Sequence, residues 1–167
     1  MIKITKIVSS VSGANSVAIG ASAGNVAHVF DLNAPAQEVW DLIGPFDSLP
    51  RWHSLVAECT LEKESGSKES TGAIVRRIRL RDGTIILNRL VEHSDSERFY
   101  TYEFMEGPLK VDWYRSTLRV LDNGKSRCRV EWLSQFETRS ATPSEVKQRI
   151  ESLIGPGAEN LRRLFNR

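Results

Sequence analysis

The sequence predicts an α+β fold in which a curved, seven-stranded antiparallel sheet wraps around one long C-terminal helix, with two short helices after the first strand. Three observations support this prediction. Residues 142–167 carry a helix start followed by apolar residues at helical spacing. Residues 72–138 alternate between apolar and polar side chains and are interrupted by frequent turn sequences. A short alternating segment followed by helix-start residues precedes both. Together these elements predict a helix-grip architecture, in which one sheet is covered by one long helix.

The long helix is predicted to begin at Thr142. The threonine side chain can accept a hydrogen bond from the first turn, Glu145 can reach back to the cap, and Pro143 stands where a missing N–H costs little. The apolar residues that recur at helical spacing are Val146, Ile150, Leu153, Ile154, Ala158, Leu161, Leu164 and Phe165. They form one stripe, which we expect to cover the apolar face of the sheet.

Gly155, Pro156 and Gly157 interrupt this helical pattern. Relative to alanine, the three residues should cost a helix interior roughly 5 kcal/mol in total, so a kink or a break is expected. Two interpretations follow. Either two helices are joined by a turn here, or the small residues keep space open between the helix and the sheet.

The N-terminal half of the domain is predicted to contain a strand, two short helices and a second strand. Residues 26–32 alternate in polarity, and residues 33–35 then stop the strand and start a helix with a proline at its first position. Residues 46–53 form a small second helix or turn with two large aromatic side chains. Residues 55–61 alternate again and form the second strand.

Five consecutive antiparallel strands are predicted to follow. Asp82-Gly83 is typical of a tight hairpin turn, and further turn sequences separate the later strands. The strands cover residues 73–81, 84–93, 98–106, 112–121 and 126–138. Because side chains alternate between the two faces of a strand, one face collects apolar and aromatic residues with scattered hydroxyl groups. This face is the expected partner of the apolar stripe on the long helix.

Composition excludes several function classes. A formal net charge of +2 is too small to indicate nucleic-acid or membrane-surface binding. No apolar run approaches the ~18 residues needed to cross a bilayer. Cys59 and Cys128 are too few for a disulfide framework, and no His, Cys, Asp or Glu cluster has metal-ligand spacing. We therefore expect no metal, no cofactor, no nucleic-acid partner and no integral membrane segment, and a monomer or weak dimer.

A single ligand-binding domain is expected over residues 25–167, after an extension over residues 1–24 that is irregular or partly strand. Lys3 and Lys6 precede a semi-apolar segment that superficially resembles an export signal, but polar residues interrupt it. The favoured interpretation is an irregular extension on a cytoplasmic protein with reduced thiols. Export directed by residues 1–23 is the alternative.

Several short motifs occur in the same order as these elements. They are Asn33-Ala34-Pro35 with Val39-Trp40, Leu49-Pro50-Arg51-Trp52-His53, Gly72-Ala73, Asn88-Arg89-Leu90, Glu106-Gly107-Pro108-Leu109 and Tyr114-Arg115-Ser116-Thr117-Leu118. As a set over residues 26–165, they resemble the START/Bet v 1-like (SRPBCC) superfamily. The chain is most similar to its bacterial polyketide cyclase/dehydrase-like and MxaD-like members. The resemblance implies a deep cavity between the sheet and the last helix, used for apolar or amphipathic small molecules. It does not imply one activity.

The candidate ligand-binding residues are those expected to face such a cavity. They are Trp52, Arg76, Asn88, Tyr102, Phe104, Tyr114, Ser116, Trp132, Ser134, Ile154 and Ala158. An unpaired polar group in an apolar chamber costs on the order of 1–3 kcal/mol, so the polar members need partners. A ligand could supply these partners, or the groups could bond one another or trapped water as structural elements.

Arg76 is the candidate for an acidic ligand group. It shares a face with Ile74, Ile78 and Leu80, whereas Arg77, Arg79 and Arg81 fall on the opposite face, which should be solvated. An inward guanidinium would meet an acidic head group. The alternative is that the long side chain of Arg76 bends out to solvent.

The favoured function is binding of an apolar or amphipathic molecule, lipid-like or polyketide-like, in this cavity. The alternative is a polyketide cyclase or dehydratase in which Tyr114 or His53 moves protons. His53 is a lone histidine, and a structural role is the simpler interpretation of it. A third class is a partner-binding module gated by ligand, which would show a ligand-dependent oligomeric state.

Overall fold

The computed structural model describes residues 20–65 and 72–167. The elements in chain order are β1 (Ser22–Leu32), α1 (Ala36–Ile43), α2 (Leu49–Trp52), β2 (Val56–Lys63), β3 (Ile74–Leu80), β4 (Ile85–Ser94), β5 (Phe99–Glu106), β6 (Trp113–Asp122), β7 (Cys128–Thr138) and α3 (Pro143–Phe165). The strands form one antiparallel sheet in the order β1-β7-β6-β5-β4-β3-β2. The predicted helix-grip fold is therefore confirmed.

The first strand begins earlier than its polarity pattern predicts. Pairing of β1 with β7 runs from Ser22 opposite Thr138 to Leu32 opposite Cys128, so four residues precede the predicted start at residue 26. Ser, Ala, Gly and Asn in these positions carry no alternating signal. They join the sheet because β7 extends far enough to offer backbone hydrogen-bonding partners. The preceding residues of the expected extension, 1–19, lie outside the described residues.

The alternation in the last strand is confirmed. In β7, Cys128, Val130, Trp132, Ser134 and Phe136 are buried, whereas the residues between them are exposed or partly exposed. The buried face of the sheet packs against α1 and α3, and its side chains join those of the helices in one core. β2 begins one residue later and ends two residues later than predicted.

The cap of α3 is the predicted one. The Thr142 hydroxyl oxygen accepts a hydrogen bond from the Glu145 backbone N–H at 3.2 Å, and the Glu145 carboxylate accepts from the Thr142 backbone N–H at 2.8 Å. Two orphan donors of the helix start are thereby satisfied reciprocally. Among the described residues, no helix is both long enough and apolar enough to cross a membrane.

The helix α3 continues through Pro156, so the interpretation of two helices joined by a turn is wrong. Residues on both sides of the proline are buried against the rest of the core, including Ile154 and Ala158. This packing offsets the cost of the proline and glycines, because most helix stability in proteins comes from tertiary packing. Gly157 does not keep space open either: the imidazole of His53 occupies the space where its β-carbon would stand.

Candidate functional site

A cavity of about 70 Å³ lies between the sheet and α3. Among the predicted site residues, those that line it are Arg76, Asn88, Tyr102, Phe104, Tyr114, Trp132, Ile154 and the weaker candidate His53. The cavity is smaller than the deep chamber that the resemblance implies, because large aromatic side chains fill much of the space. An engineered cavity that binds benzene has about 150 Å³.

The other four predicted residues lie behind this lining. Trp52 is buried, its indole N–H donates to the Ser48 hydroxyl at 3.0 Å, and its ring packs against Trp132 with centroids 5.7 Å apart. Ser116 and Ser134 stand behind Tyr114, and Ala158 is fully buried in the core. Direct contact with a ligand is therefore not expected for these four.

Several lining residues were absent from the predicted set. They are Leu49, Val56, Ile78, Leu80, Ile86, Leu109, Ile150 and Leu153. The sequence pattern could have placed several of them in the lining. Ile78 and Leu80 share the face of Arg76, and Ile150 and Leu153 belong to the apolar stripe of α3. Leu109 follows a turn, where alternation gives no information. The partly exposed Leu109 and Leu153 lie where the lining reaches the surface.

Arg76 points inward and is 1% exposed. Its Nη1 donates to the Phe46 carbonyl at 3.1 Å and to the Tyr100 hydroxyl at 3.4 Å. Its guanidinium carbon lies 4.2 Å from the ring centroid of Phe46 and 4.5 Å from that of Tyr102. Outward bending of this side chain is therefore excluded, and aromatic faces surround the cation.

Of the three guanidinium nitrogens of Arg76, Nη2 is the one that can still bond another partner. With the Asn88 amide oriented to satisfy both of its ends, Asn88 Oδ1 accepts from Arg76 Nε at 3.3 Å and the amide nitrogen donates to the Leu87 carbonyl at 3.2 Å. Nη2 has no partner among the described residues, and Arg76 forms no ion pair with any carboxylate of that part of the chain. The guanidinium is thus a buried cation held only by neutral oxygens and aromatic rings.

Hydroxyl groups of three strands form a connected network beside the cavity. The Trp132 indole N–H donates to the Tyr102 hydroxyl at 3.2 Å. The Tyr114 hydroxyl lies 3.0 Å from the Ser134 hydroxyl, which lies 2.9 Å from that of Ser116. The Ser116 hydroxyl donates to the Leu133 carbonyl at 3.1 Å. Cross-strand pairing places these groups together, since Tyr102, Ser116 and Ser134 occupy matched positions in β5, β6 and β7.

Tyr114 is fully neutral at physiological pH. Burial raises the pKa of Tyr114 well above its ordinary value, and the nearby Tyr102 phenol raises it further. The neighbouring Ser134 and Ser116 hydroxyls act in the opposite direction, with a smaller effect on this pKa. A tyrosinate base at this position is therefore disfavoured.

Both ring nitrogens of His53 are engaged by the backbone. Nε2 lies 2.8 Å from the Leu153 carbonyl, and Nδ1 accepts from the Leu55 N–H at 3.3 Å. A carbonyl can only accept, so Nε2 carries the hydrogen. Burial lowers the pKa of His53 to about 4, despite the bond to Leu153 that opposes the shift. The imidazole is a neutral structural link between α2 and α3.

Two further hydrogen bonds strengthen this link. The Asn160 amide donates to the Trp52 carbonyl at 2.7 Å, and the Ser54 hydroxyl donates to the Pro156 carbonyl at 3.3 Å. The three contacts from residues 52–54 are made with Leu153, Pro156 and Asn160 of α3, which lie before, within and after the Gly-Pro-Gly segment. They hold one wall of the cavity against the other.

The remaining reactive groups to consider are metal-ligating clusters and the two cysteines. No group of three or more His, Cys, Asp or Glu side chains with metal-binding geometry occurs within residues 20–65 and 72–167. Burial raises the pKa of both Cys59 and Cys128 to about 11, so neither is a thiolate at neutral pH.

Comparison with known proteins agrees with this geometry. The sequence model of the family described as polyketide cyclase/dehydrase and lipid transport matches residues 23–166. No curated protein sequence matches the chain.

Solved structures show the same fold. XoxI from Bacillus cereus is 28% identical to this chain, with 86% of this chain and 96% of that one covered and a TM-score of 0.74. A protein from Thermobifida fusca is 30% identical, with 84% and 94% covered and a TM-score of 0.64. The Zhui aromatase/cyclase from a Streptomyces species is 18% identical, with 86% and 96% covered and a TM-score of 0.64, and it supports the fold alone.

The family match spans most of the chain, and the motifs, the sheet order and the sheet–helix cavity agree with it. The chain therefore belongs to the polyketide cyclase/dehydrase and lipid transport family, and it has the helix-grip fold of the START/Bet v 1 superfamily that its motifs resemble.

Proposed function

We propose that the protein binds an amphipathic small molecule, lipid-like or polyketide-like, whose apolar part occupies the sheet–helix cavity and whose acidic or carbonyl end meets Arg76. The observation that carries this proposal is the buried Arg76 guanidinium without a carboxylate partner. A buried, unpaired ion costs several kcal/mol. An anionic or strongly polar ligand oxygen at Nη2 would supply the missing partner.

The composition of the lining supports an amphipathic ligand. Apart from Arg76 and Asn88, the groups around the cavity are aliphatic or aromatic, with polar atoms confined to His53, the Trp132 indole and the two phenols. Such a lining, mostly apolar with few polar groups that fix orientation, is typical of small-molecule sites. Lipid transport, one of the activities in the family description, requires a site of this kind.

The contacts of the two candidate catalytic residues favour binding over catalysis. His53 uses both ring nitrogens on backbone groups, and its low pKa leaves it neutral. Tyr114 is held by Ser134 on the side away from the cavity. General acid–base chemistry needs a group near its pKa and within reach of the substrate proton. A cyclase or dehydratase would need Tyr114 in another hydrogen-bonded state.

Binding of a lipid-like molecule requires the lining to move. A cavity of about 70 Å³ is too small for such a molecule. The partly exposed Phe104, Leu109 and Leu153 are the lining residues that can move outward with the least loss of core packing. We therefore expect the occupied protein to differ from this structure mainly at the turn between β5 and β6 and at the facing part of α3.

Native mass spectrometry of freshly purified protein, followed by denaturing extraction, tests the proposal. We expect a stoichiometric adduct that carries an acidic or carbonyl group on an apolar body. Arg76→Leu should lose this adduct, whereas Arg77→Leu, a matched change on the exposed face of the same strand, should retain it.

Two outcomes would contradict the proposal. Retention of the same adduct by Arg76→Leu, with unchanged selectivity, would remove Arg76 from the site. A clean apo mass, together with turnover of a polyketide-like substrate that Tyr114→Phe abolishes without loss of binding, would favour the enzyme.

A further inference from the structure

The hydrogen bonds beside the cavity have a fixed direction. At one end, the Trp132 indole N–H can only donate, and at the other end the Leu133 carbonyl can only accept. Ser116 has one hydroxyl hydrogen, and it is directed to Leu133. At the 2.9 Å contact between Ser116 and Ser134, Ser134 must therefore be the donor.

The same reasoning fixes the orientation of Tyr114. Ser134 has given its only hydroxyl hydrogen to Ser116, so at the 3.0 Å contact between Tyr114 and Ser134 the phenol is the donor. The hydrogen of Tyr114 thus points into the wall of the cavity. What Tyr114 can offer on the cavity side is a lone pair of its oxygen, which accepts hydrogen bonds.

Tyr102 has the complementary orientation. Its oxygen accepts from Trp132, so its own hydrogen is free to turn toward Tyr114 or toward a molecule in the cavity. The two rings are neighbours, with centroids 6.2 Å apart, and both line the cavity. One phenol offers a hydrogen and the other offers a lone pair. A group that both donates and accepts satisfies the two phenols at once.

From this geometry we infer that the ligand is a hydroxylated amphipathic acid: its acidic oxygens meet Arg76, and a hydroxyl group on its apolar body donates to Tyr114 and accepts from Tyr102. This inference rests on the proposed function and specifies the ligand class further. Ser116 and Ser134, which do not touch the cavity, act as positioning residues because they hold Tyr114 in its accepting state. A carboxylate or an ether oxygen next to Tyr114 would place two acceptors together and is disfavoured.

The test uses alkanoic acids of graded chain length in three matched forms: unsubstituted, with a terminal hydroxyl, and with the methyl ether of that hydroxyl. The graded chain length covers the span between Arg76 and the phenols. Dissociation constants are measured by isothermal titration calorimetry at neutral pH. For the wild type, we expect the best hydroxy acid to bind about tenfold more tightly than its methyl ether, because a buried acceptor is left unpaired by the ether.

Two variants separate hydrogen-bond direction from size. Tyr114→Phe removes the acceptor at nearly constant volume and should remove the preference for the hydroxy acid over its methyl ether. Ser134→Ala removes the group that holds the Tyr114 hydrogen, so the phenol can turn and donate into the cavity. The preference should then shift toward the methyl ether. Neither change leaves a buried donor without an alternative partner.

Thr117→Val is the matched control. Thr117 lies on the outer face of β6, where its hydroxyl is 2.8 Å from that of Thr101, and the substitution also removes one hydroxyl from the sheet. We expect this variant to keep the wild-type preference of about tenfold.

The outcomes distinguish this inference from the proposed function. If the acids bind and Arg76→Leu abolishes their binding, but hydroxy acid and methyl ether bind equally, the inference is wrong and the proposed function stands. If the preference survives in Tyr114→Phe, it reflects ligand size and the inference is also wrong. If none of the acids binds the wild type, the inference is wrong, and the proposed function stands only if native mass spectrometry finds an adduct that Arg76→Leu loses.

Discussion

The imidazole of His53 lies so close to Gly157 that a β-carbon at position 157 would stand 2.5 Å from Cδ2 of the ring. The two residues are far apart in sequence and belong to different walls of the cavity. Gly157 lets the ring reach the Leu153 carbonyl on α3, at 2.8 Å from Nε2. Gly157, which interrupts the helical sequence pattern, therefore leaves room for the contact between α3 and His53 at the end of α2.

Gly157→Ala should destabilise the protein. Although alanine is the better helix former, the new methyl group must displace the buried ring and break its bond to Leu153, so we expect a net loss of about 1–3 kcal/mol. Denaturant unfolding measures this. Gly155→Ala is the control for the His53 contact, since a β-carbon there meets no atom within 4 Å apart from its chain neighbours. Pro156 follows, and a proline ring crowds the β-carbon of a helical residue before it, so the gain in helix propensity should be largely offset and stability should change less than in Gly157→Ala. Equal effects at the two positions would show that the His53 contact contributes nothing.

His53 should make stability depend on pH. The pKa of His53 is about 4 in the folded protein against its ordinary value of 6.5, so between these two pH values the unfolded chain binds a proton that the folded protein does not. The free energy of unfolding should therefore fall as pH decreases from 6.5 to 4, by about 3 kcal/mol from this group.

His53→Gln isolates this contribution. The glutamine amide can still donate to the Leu153 carbonyl but does not titrate. Unfolding measured at intervals from neutral to acidic pH should show a flatter curve for the variant, while the contribution of the carboxylates is common to both proteins. Parallel curves would show that His53 is protonated in the folded state as readily as in the unfolded chain.

Arg76→Leu should leave the ligand-free protein about as stable as the wild type, within about 1–2 kcal/mol. Leucine removes a buried cation without a carboxylate partner, and the gain offsets the lost bonds to Phe46 and Tyr100. Thermal unfolding of protein stripped of ligand is the measurement. If Arg76 is instead an essential structural residue, the variant should lose about 3–5 kcal/mol, as when one partner of a buried pair is removed.

Ile86→Ala should enlarge the cavity. Ile86 is 8% exposed and lines it, so its truncation should cost about 2–5 kcal/mol. The variant should then bind benzene and gain thermal stability from it, whereas the wild type should not, because its cavity of about 70 Å³ is smaller than the roughly 150 Å³ known to hold benzene.

Ile85→Ala is the control for Ile86→Ala, because the neighbouring side chain lies on the other face of β4 and is only half-buried. It should lose less stability and should not respond to benzene. A benzene response of the wild type would mean that the cavity already opens readily in solution.

Much of the fold could be predicted from the sequence because its signals are local. The alternation in residues 126–138 places Trp132 and Ser134 on the buried face, and the capping box at Thr142 fixes the start of α3. Parity within β3 likewise predicts that Arg76 lies on the inner face of the sheet and Arg77 on the outer face. Each of these predictions needs only a few neighbouring residues, and each is confirmed.

The candidate site could be predicted only as a set of inward-facing residues. Periodicity predicts which face of the sheet a side chain occupies. It does not predict whether a side chain on the inner face reaches the cavity or lies behind the residues that line it. Trp52, Ser116 and Ser134 were therefore placed with the lining, although they stand behind it. Leu109 was missed because it follows a turn.

By itself, the sequence determined the helix-grip fold and the buried face of the sheet, and it left open whether the Arg76 side chain points inward or bends out to solvent. Only the tertiary structure decided the size of the cavity, the bond between His53 and α3, and the direction of the hydrogen bond from Tyr114. These depend on which groups meet across strands and between layers. A hydroxyl can donate or accept, so its role is set by neighbours that are distant in sequence, and by the donor-only indole and acceptor-only carbonyl at the ends of the network.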